Sequence, residues 1–240
     1  MADEVDSKRV LAVGAHPDDI EILCAGTLAR YKREGWEVFM AYLCNGDTGH
    51  TEIPQKELVK IRESEAHESA KILGAHIEGG YFSDFGVFLD EKSRRIVVDL
   101  VRKAKPDVVL THFPEDYQWD HRMTSQLVVV ATFLANMPYY ETDYPFHTKI
   151  PPIYYMDTLA GINFQPAEYV DISDTIEIKE KMLRCHQSQY LWLKKLGKID
   201  YVDFMKTQSA FRGYQCGVRY AEGFIPYQAW NRVQPRRLLP

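Results

Sequence analysis

The stretch Val10-Leu11-Ala12-Val13-Gly14-Ala15-His16-Pro17-Asp18-Asp19-Ile20-Glu21 decides the fold and points to the chemistry. Its opening residues are continuously apolar, the pattern of a parallel strand buried on both faces. An imidazole and two carboxylates follow at once, in His16, Asp18 and Asp19. In an α/β sheet, ligands bind at the carboxyl ends of the strands. A His-x-x-Asp pair there offers one nitrogen and one oxygen to a divalent metal. Asp18 lies between the two, so it does not share their direction and is free to handle a proton. A structural alternative competes with this reading. Asp18 followed by Glu21 matches a helix-capping arrangement, which leaves His16 as a hydrogen-bonded strand-end histidine.

Outward from this segment, strands and helices alternate. Arg9 to Ala15 is expected as the first strand, Ile20 to Arg33 as a helix stopped by Gly35, and Trp36 to Leu43 as a second strand. Turn residues Asn45-Gly46-Asp47-Thr48-Gly49 close that strand. Gln55 to Leu73 carries Leu58, Ile61, Ala66, Ala70 and Leu73 at helical spacing and ends at Gly74. Ile77 to Phe82 reads as a strand, Arg94 to Ala104 as a helix, Val108 to His112 as another buried strand, and Arg122 to Asn136 as a helix. In the last third, Ile153 to Met156 and Tyr169 to Ile172 read as short strands and Asp174 to Leu196 as one long helix. This order predicts an α/β fold with a Rossmann-like, mostly parallel sheet flanked by helices. With no internal repeat and no Gly-, Pro- or Ser-rich linker, residues 1–240 read as one domain. A C-terminal subregion, roughly 140–240, is expected to complete the site.

Composition narrows the function classes. A chain of 240 residues, 45% of them hydrophobic, is long enough to bury a full core. A net charge of -5 and a pI near 5.9 argue against nucleic acid or anionic membrane as the partner. Met1 to Arg9 is polar and charged rather than a signal peptide, and no run of about 18 apolar residues offers a membrane span. Cys24, Cys44, Cys185 and Cys216 lack C-x-x-C spacing and read as reduced thiols, so the expected location is cytoplasmic.

A second constellation, Asp116-Tyr117-Gln118-Trp119-Asp120-His121, follows the strand ending at Thr111-His112 and opens at the same sheet edge. His121 supplies a third metal ligand. The resulting His, Asp, His set keeps a position open for water, as catalytic zinc does, whereas structural zinc is closed by four ligands rich in Cys. Asp120 is expected to orient His121 or a neighbour. Alone, this segment also reads as a solvated polar loop.

The A-H-P-D-D motif at 15–19 and the D-H pair at 120–121 resemble the zinc-dependent LmbE-like/PIG-L de-N-acetylases. So do the Asn45–Gly49 loop, Arg62-Glu63-Ser64-Glu65, the segment from Thr111 to Asp116, His186-Gln187-Ser188-Gln189 and Ala221-Glu222-Gly223-Phe224, in the same order. The resemblance implies His16, Asp19 and His121 as ligands of Zn2+, with Fe2+ as the other metal for such a set, and Asp18 as general base. Water activated by the metal would attack the amide of an N-acetylated amino sugar or its conjugate. Arg62 corresponds to a substrate- or acetate-contacting arginine; its structural alternative is a surface charge paired with Glu65. Trp119 and His186 are expected at the substrate, Trp119 either walling the site or packing within its loop. The resemblance also implies a homo-oligomer, a hexamer or a smaller multiple.

One departure stands out. Where the family commonly has H-P-D-H, this chain has Gln118-Trp119-Asp120-His121. The first histidine of that motif is assigned to the oxyanion, and Gln118 can donate a hydrogen bond but neither carries charge nor transfers a proton. Loss of one oxyanion donor costs on the order of 10²–10³ in rate. Three readings stay open: Gln118 substitutes, another histidine (His50, His112 or His186) moves in, or the acyl group or the reaction differs. The rivals to sugar deacetylation are an amidase on a non-sugar or thiol-conjugate amide and an inactive metal-containing sugar-binding protein. A dinucleotide-binding Rossmann protein is a poor reading, because G-x-G-x-x-G is missing and carboxylates stand where phosphate would be repelled.

Overall fold

The computed structural model describes residues 7–240; Met1–Asp6, and with them most of the polar N-terminal stretch, lie outside the described residues. The continuously apolar run forms β1 (Arg9–Gly14), whose side chains alternate between two cores. Val10 and Ala12 face one, Leu11 and Val13 the other, all fully buried. Truncating such a leucine to alanine costs about 2–5 kcal/mol. A strand buried on both faces needs helices on both, and they are supplied by the alternation read from the sequence.

The elements that follow are α1 (Asp19–Leu23), α2 (Ala25–Arg33), β2 (Glu37–Cys44), α3 (Gln55–Leu73), β3 (His76–Phe82), α4 (Glu91–Ala104), β4 (Val108–Thr111) and α5 (Trp119–Leu134). The last third holds β5 (Ile153–Met156), β6 (Glu168–Asp171), α6 (Ile176–Leu183), α7 (Gln187–Gly197), α8 (Tyr201–Cys216) and β7 (Ala221–Pro226). Among the described residues, seven strands form one sheet in the order β3-β2-β1-β4-β5-β7-β6. β1 to β5 run parallel, and β7 runs antiparallel to both β5 and β6. From β1 the chain builds outward to β2 and β3, then returns to place β4 on the other side of β1. The carboxyl ends of β1 and β4 therefore flank a topological switch point, the place where open α/β sheets bind ligands.

Two helices read as continuous are broken. The expected helix from Ile20 to Arg33 starts at Asp19 and divides at Cys24, whose φ of -146° leaves the helical range. The restart is capped from far away: Glu222 of β7 accepts the N–H groups of Gly26 at 2.9 Å and Thr27 at 2.7 Å and pairs with the buried Lys179. The expected helix from Asp174 to Leu196 likewise divides into α6 and α7, with His186 at the break. α5 begins at Trp119 rather than Arg122, which moves Asp120 and His121 from a loop onto the first turn of a helix.

Candidate active site

β1 and β4 pair in register, Val13 beside Thr111, so the segments that leave them emerge side by side. The Asp19 carboxylate turns back onto its own strand end. Its Oδ2 accepts the backbone N–H of Ala15 at 3.0 Å and of His16 at 2.6 Å. Its Oδ1 lies 3.3 Å from His121 Nε2, and His16 Nδ1 lies 3.5 Å from Oδ2. Metal-ligating atoms of His16, Asp19 and His121 thus converge within 4.8 Å of one another. The capping alternative fails here, because the Asp18 side chain makes no cap hydrogen bond to α1.

Each histidine is oriented by its own carboxylate. His121 Nδ1 is 2.9 Å from Asp116 Oδ2, which leaves Nε2 buried and without a hydrogen-bond partner. Asp120 was expected to orient His121 or a neighbour; it holds His16, its Oδ2 3.1 Å from His16 Nε2, because Asp116 already occupies His121. Asp120 Oδ2 also accepts the Phe85 N–H at 2.7 Å, and Phe85 takes a positive φ of 61° to give it. Asp116 was not singled out from the sequence; its spacing five residues ahead of His121 was the available signal.

Burial pulls both histidines toward the neutral form, yet their carboxylates win. Asp120 and Asp19 push His16 up to about 10, and Asp19 and Asp116 push His121 up to about 9. Negative charge packed this tightly calls for a cation. Two imidazole nitrogens, one of them the unpartnered buried Nε2 of His121, and one carboxylate oxygen fit a divalent metal with an open coordination position.

Asp18 is built differently. It is 4% exposed, and its φ of 126° is strained for a residue with a side chain. Burial pushes its carboxyl up to about 6, with Asp19 adding and Arg62 opposing. Arg62 is 3% exposed and makes no pair with Glu65. Its guanidinium donates to Pro17 O at 2.6 Å, to Asp18 Oδ2 at 3.3 Å and to Gly46 O at 3.3 Å. A Cβ at Gly46, where φ is 75°, would sit 2.6 Å from the Arg62 side chain, so that loop position requires glycine. Asp84 fixes the same loop through Gly46 N and Thr48 N.

Glu65 instead accepts Ser188 N at 2.7 Å and Ser188 Oγ at 2.6 Å, clamping α7 to α3. His186, expected at the substrate, is fully buried behind the site with Nε2 3.2 Å from Glu21 Oε1. Glu21 also accepts from Tyr42 and Ser69, so His186 belongs to a buried network that lies close enough to Asp18 to act on its charge. The H-x-S-Q element thus joins α3 through Ser188 and Glu21 through His186.

Gln118 stands at the N-cap position of α5, its backbone N–H donating to Asp116 Oδ1 and its half-buried side chain beside Tyr117. The alternative histidines make other contacts. His112 is buried, stacked 3.9 Å over His121, and its Nε2 accepts the Ala15 N–H. His50 Nδ1 accepts the N–H groups of Glu52 and Ile53. Trp119 is 39% exposed, donates to Val87 O at 3.2 Å and meets Phe88 edge-on.

A family profile described as PIG-L, GlcNAc-PI de-N-acetylase, matches residues 11–132, the span from β1 into α5. The chain is 30% identical to a diacetylchitobiose deacetylase of Thermococcus kodakarensis, over 92% of this chain and 84% of that protein. It superposes on the N,N'-diacetylchitobiose deacetylase of Pyrococcus horikoshii with a TM-score of 0.80 and 29% identity, over 92% of this chain and 84% of that one. It is also 25% identical to a 4-oxalmesaconate hydratase of Pseudomonas putida, over 77% of this chain and 76% of that protein.

Proposed function

The chain belongs to the PIG-L family of GlcNAc-PI de-N-acetylases, and from that premise we propose that it is a metal-dependent hydrolase removing the acetyl group from an N-acetylated amino sugar or its conjugate. The observation that carries the reading is the buried, unpartnered His121 Nε2 converging with His16 and Asp19, with the strained Asp18 alongside. His16, Asp19 and His121 would hold Zn2+, or Fe2+, which supplies Lewis acidity toward the amide carbonyl and makes water a better nucleophile near neutral pH.

Asp18 accepts a proton from the attacking water as the carbon–oxygen bond forms. It returns that proton to the nitrogen as the carbon–nitrogen bond breaks, so the products are acetate and the free amine. Arg62 acts as a positioning residue: three acceptors hold its guanidinium in place, and it keeps the Asp18 carboxylate aimed. Asp116 and Asp120 fix the two imidazole rings. The Gln118 amide donates toward the developing oxyanion, with less effect than a cationic histidine. The same reading extends to a cytoplasmic homo-oligomer with one domain per chain. Light scattering on the purified protein tests the assembly.

Zinc- and iron-loaded enzyme assayed for amine release tests the activity. N-acetylglucosamine, diacetylchitobiose and an N-acetylated thiol conjugate serve as substrates. Release from the sugars, abolished by chelation and restored by metal, is expected; release from the thiol conjugate alone moves the assignment to an amidase. A second reading, hydration of a conjugated unsaturated oxo acid, draws on Gln118 and on the hydratase among the relatives. Loss of the conjugated chromophore with no amine released from any acetylated compound would select it.

A further inference from the structure

Cys44 closes β2 directly beside the His-x-x-Asp segment, its N–H donating to Ala15 O at 2.8 Å. It is fully buried, and it serves none of the roles described above. Metal-ligating atoms of His16, Cys44 and Asp120 lie within 4.8 Å of one another. Asp120 contributes a spare atom to this group. Its Oδ2 is engaged by His16 and Phe85, but its Oδ1 is buried without a partner in a residue only 1% exposed.

We propose that His16, Cys44 and Asp120 form a second cation site, suited to a thiophilic divalent metal such as Cd2+. A thiolate, an imidazole and a carboxylate are a softer set than His, Asp, His, so the preference shifts toward softer ions. The two sites exclude one another through a single proton. His16 offers Nδ1 toward Asp19 and Nε2 toward Asp120. With a cation on Nδ1, the remaining ring proton sits on Nε2 and is donated to Asp120. A cation in the second site needs the Nε2 lone pair, so that proton moves to Nδ1 and the first site loses a ligand. Cys44 releases its thiol proton to solvent as the sulfur–metal bond forms, with no change of oxidation state. This exclusivity rests on the primary-site reading proposed above; the second site itself does not.

Apo-protein titrated with Cd2+ and followed by the thiolate-to-cadmium charge-transfer absorbance tests the proposal. One equivalent with the band is expected in the wild type. Cys44→Ser should lose the band and weaken Cd2+ by at least the roughly 10-fold that even an outer-shell change costs. Cys44→Ala serves where serine disturbs the fold, and the double variant Cys185→Ser/Cys216→Ser should keep the band. Zinc-loaded protein should release one Zn2+ for each Cd2+ bound, read by mass spectrometry. His121→Ala should lose zinc from the first site while keeping the cadmium band, which separates the two sites. A wild-type protein that binds Cd2+ without the band, or a band that survives Cys44→Ser and Cys44→Ala, overturns the second site. Two cations bound together overturn the exclusivity. Normal zinc binding without the cadmium band leaves the primary reading standing alone.

Discussion

The side of Asp18 that faces the strand ends and the side that faces α3 and α7 are built from different materials. Toward β1 and β4, imidazoles and carboxylates pair at 2.9–3.5 Å, all drawn from two short segments that adjacent strands deliver together. Toward α3 and α7, a guanidinium grips backbone carbonyls from two loops and a carboxylate takes the N–H and hydroxyl of Ser188 in the first turn of a helix. The ligand side is local and electrostatically crowded, and its geometry follows from strand register, with the Phe85 N–H as a remote hold on Asp120. The other side depends on tertiary docking between elements remote in sequence. Metal binding and proton handling should therefore separate under mutation.

The largest expected effect is His121→Ala, which removes the unpartnered Nε2 and should reduce bound metal to background by mass spectrometry. Asp18→Asn should keep its metal yet lose about 10²–10⁴ of the amine-release rate, the usual contribution of a general base. Full activity in that variant would end the assignment of Asp18. Asp116→Asn leaves every ligand in place and should weaken metal about 10–100-fold in a competitive chelator titration, with activity recovering at saturating metal. Unchanged affinity would mean that the His121 ring is held by packing instead. Smallest is Glu65→Gln, on the docking side. It should leave metal content alone and lower stability by about 1–2 kcal/mol in a thermal melt, because a charged acceptor is lost from Ser188. A change in metal content there would show that the two sides are not independent.

The same division explains what could be read from sequence. β1, β2, β4 and α3 follow from apolar runs and helical spacing, and the ligand side came with them, because its residues lie within a few positions of those strand ends. Asp116 was within reach by spacing. The surface-charge alternative for Arg62 stays open in the sequence because nothing local says that the loops at Pro17 and Gly46 fold over it. The helix breaks at Cys24 and His186 carry no proline; they exist because Glu222, Glu21 and Glu65 draw on those points from other elements. α8 escaped notice although Asp200 caps it through Val202 N and Asp203 N and Gly217 ends it at φ 80°. The Ala221–Phe224 segment, visible only as a motif, is the start of the antiparallel strand β7.

The cap that Glu222 places on α2 also constrains the order of events during synthesis. Gly26 is joined to a residue 196 positions later, so the N-terminal half leaves the ribosome with the start of that helix unsatisfied. Contacts of such separation form late and carry a large loop-closure cost. A nascent chain stalled before β7 would display its histidine–carboxylate cluster above a helix still open at its first turn. Synthesis of β7, and not the appearance of the ligands, sets the moment at which the first turn of that helix is satisfied.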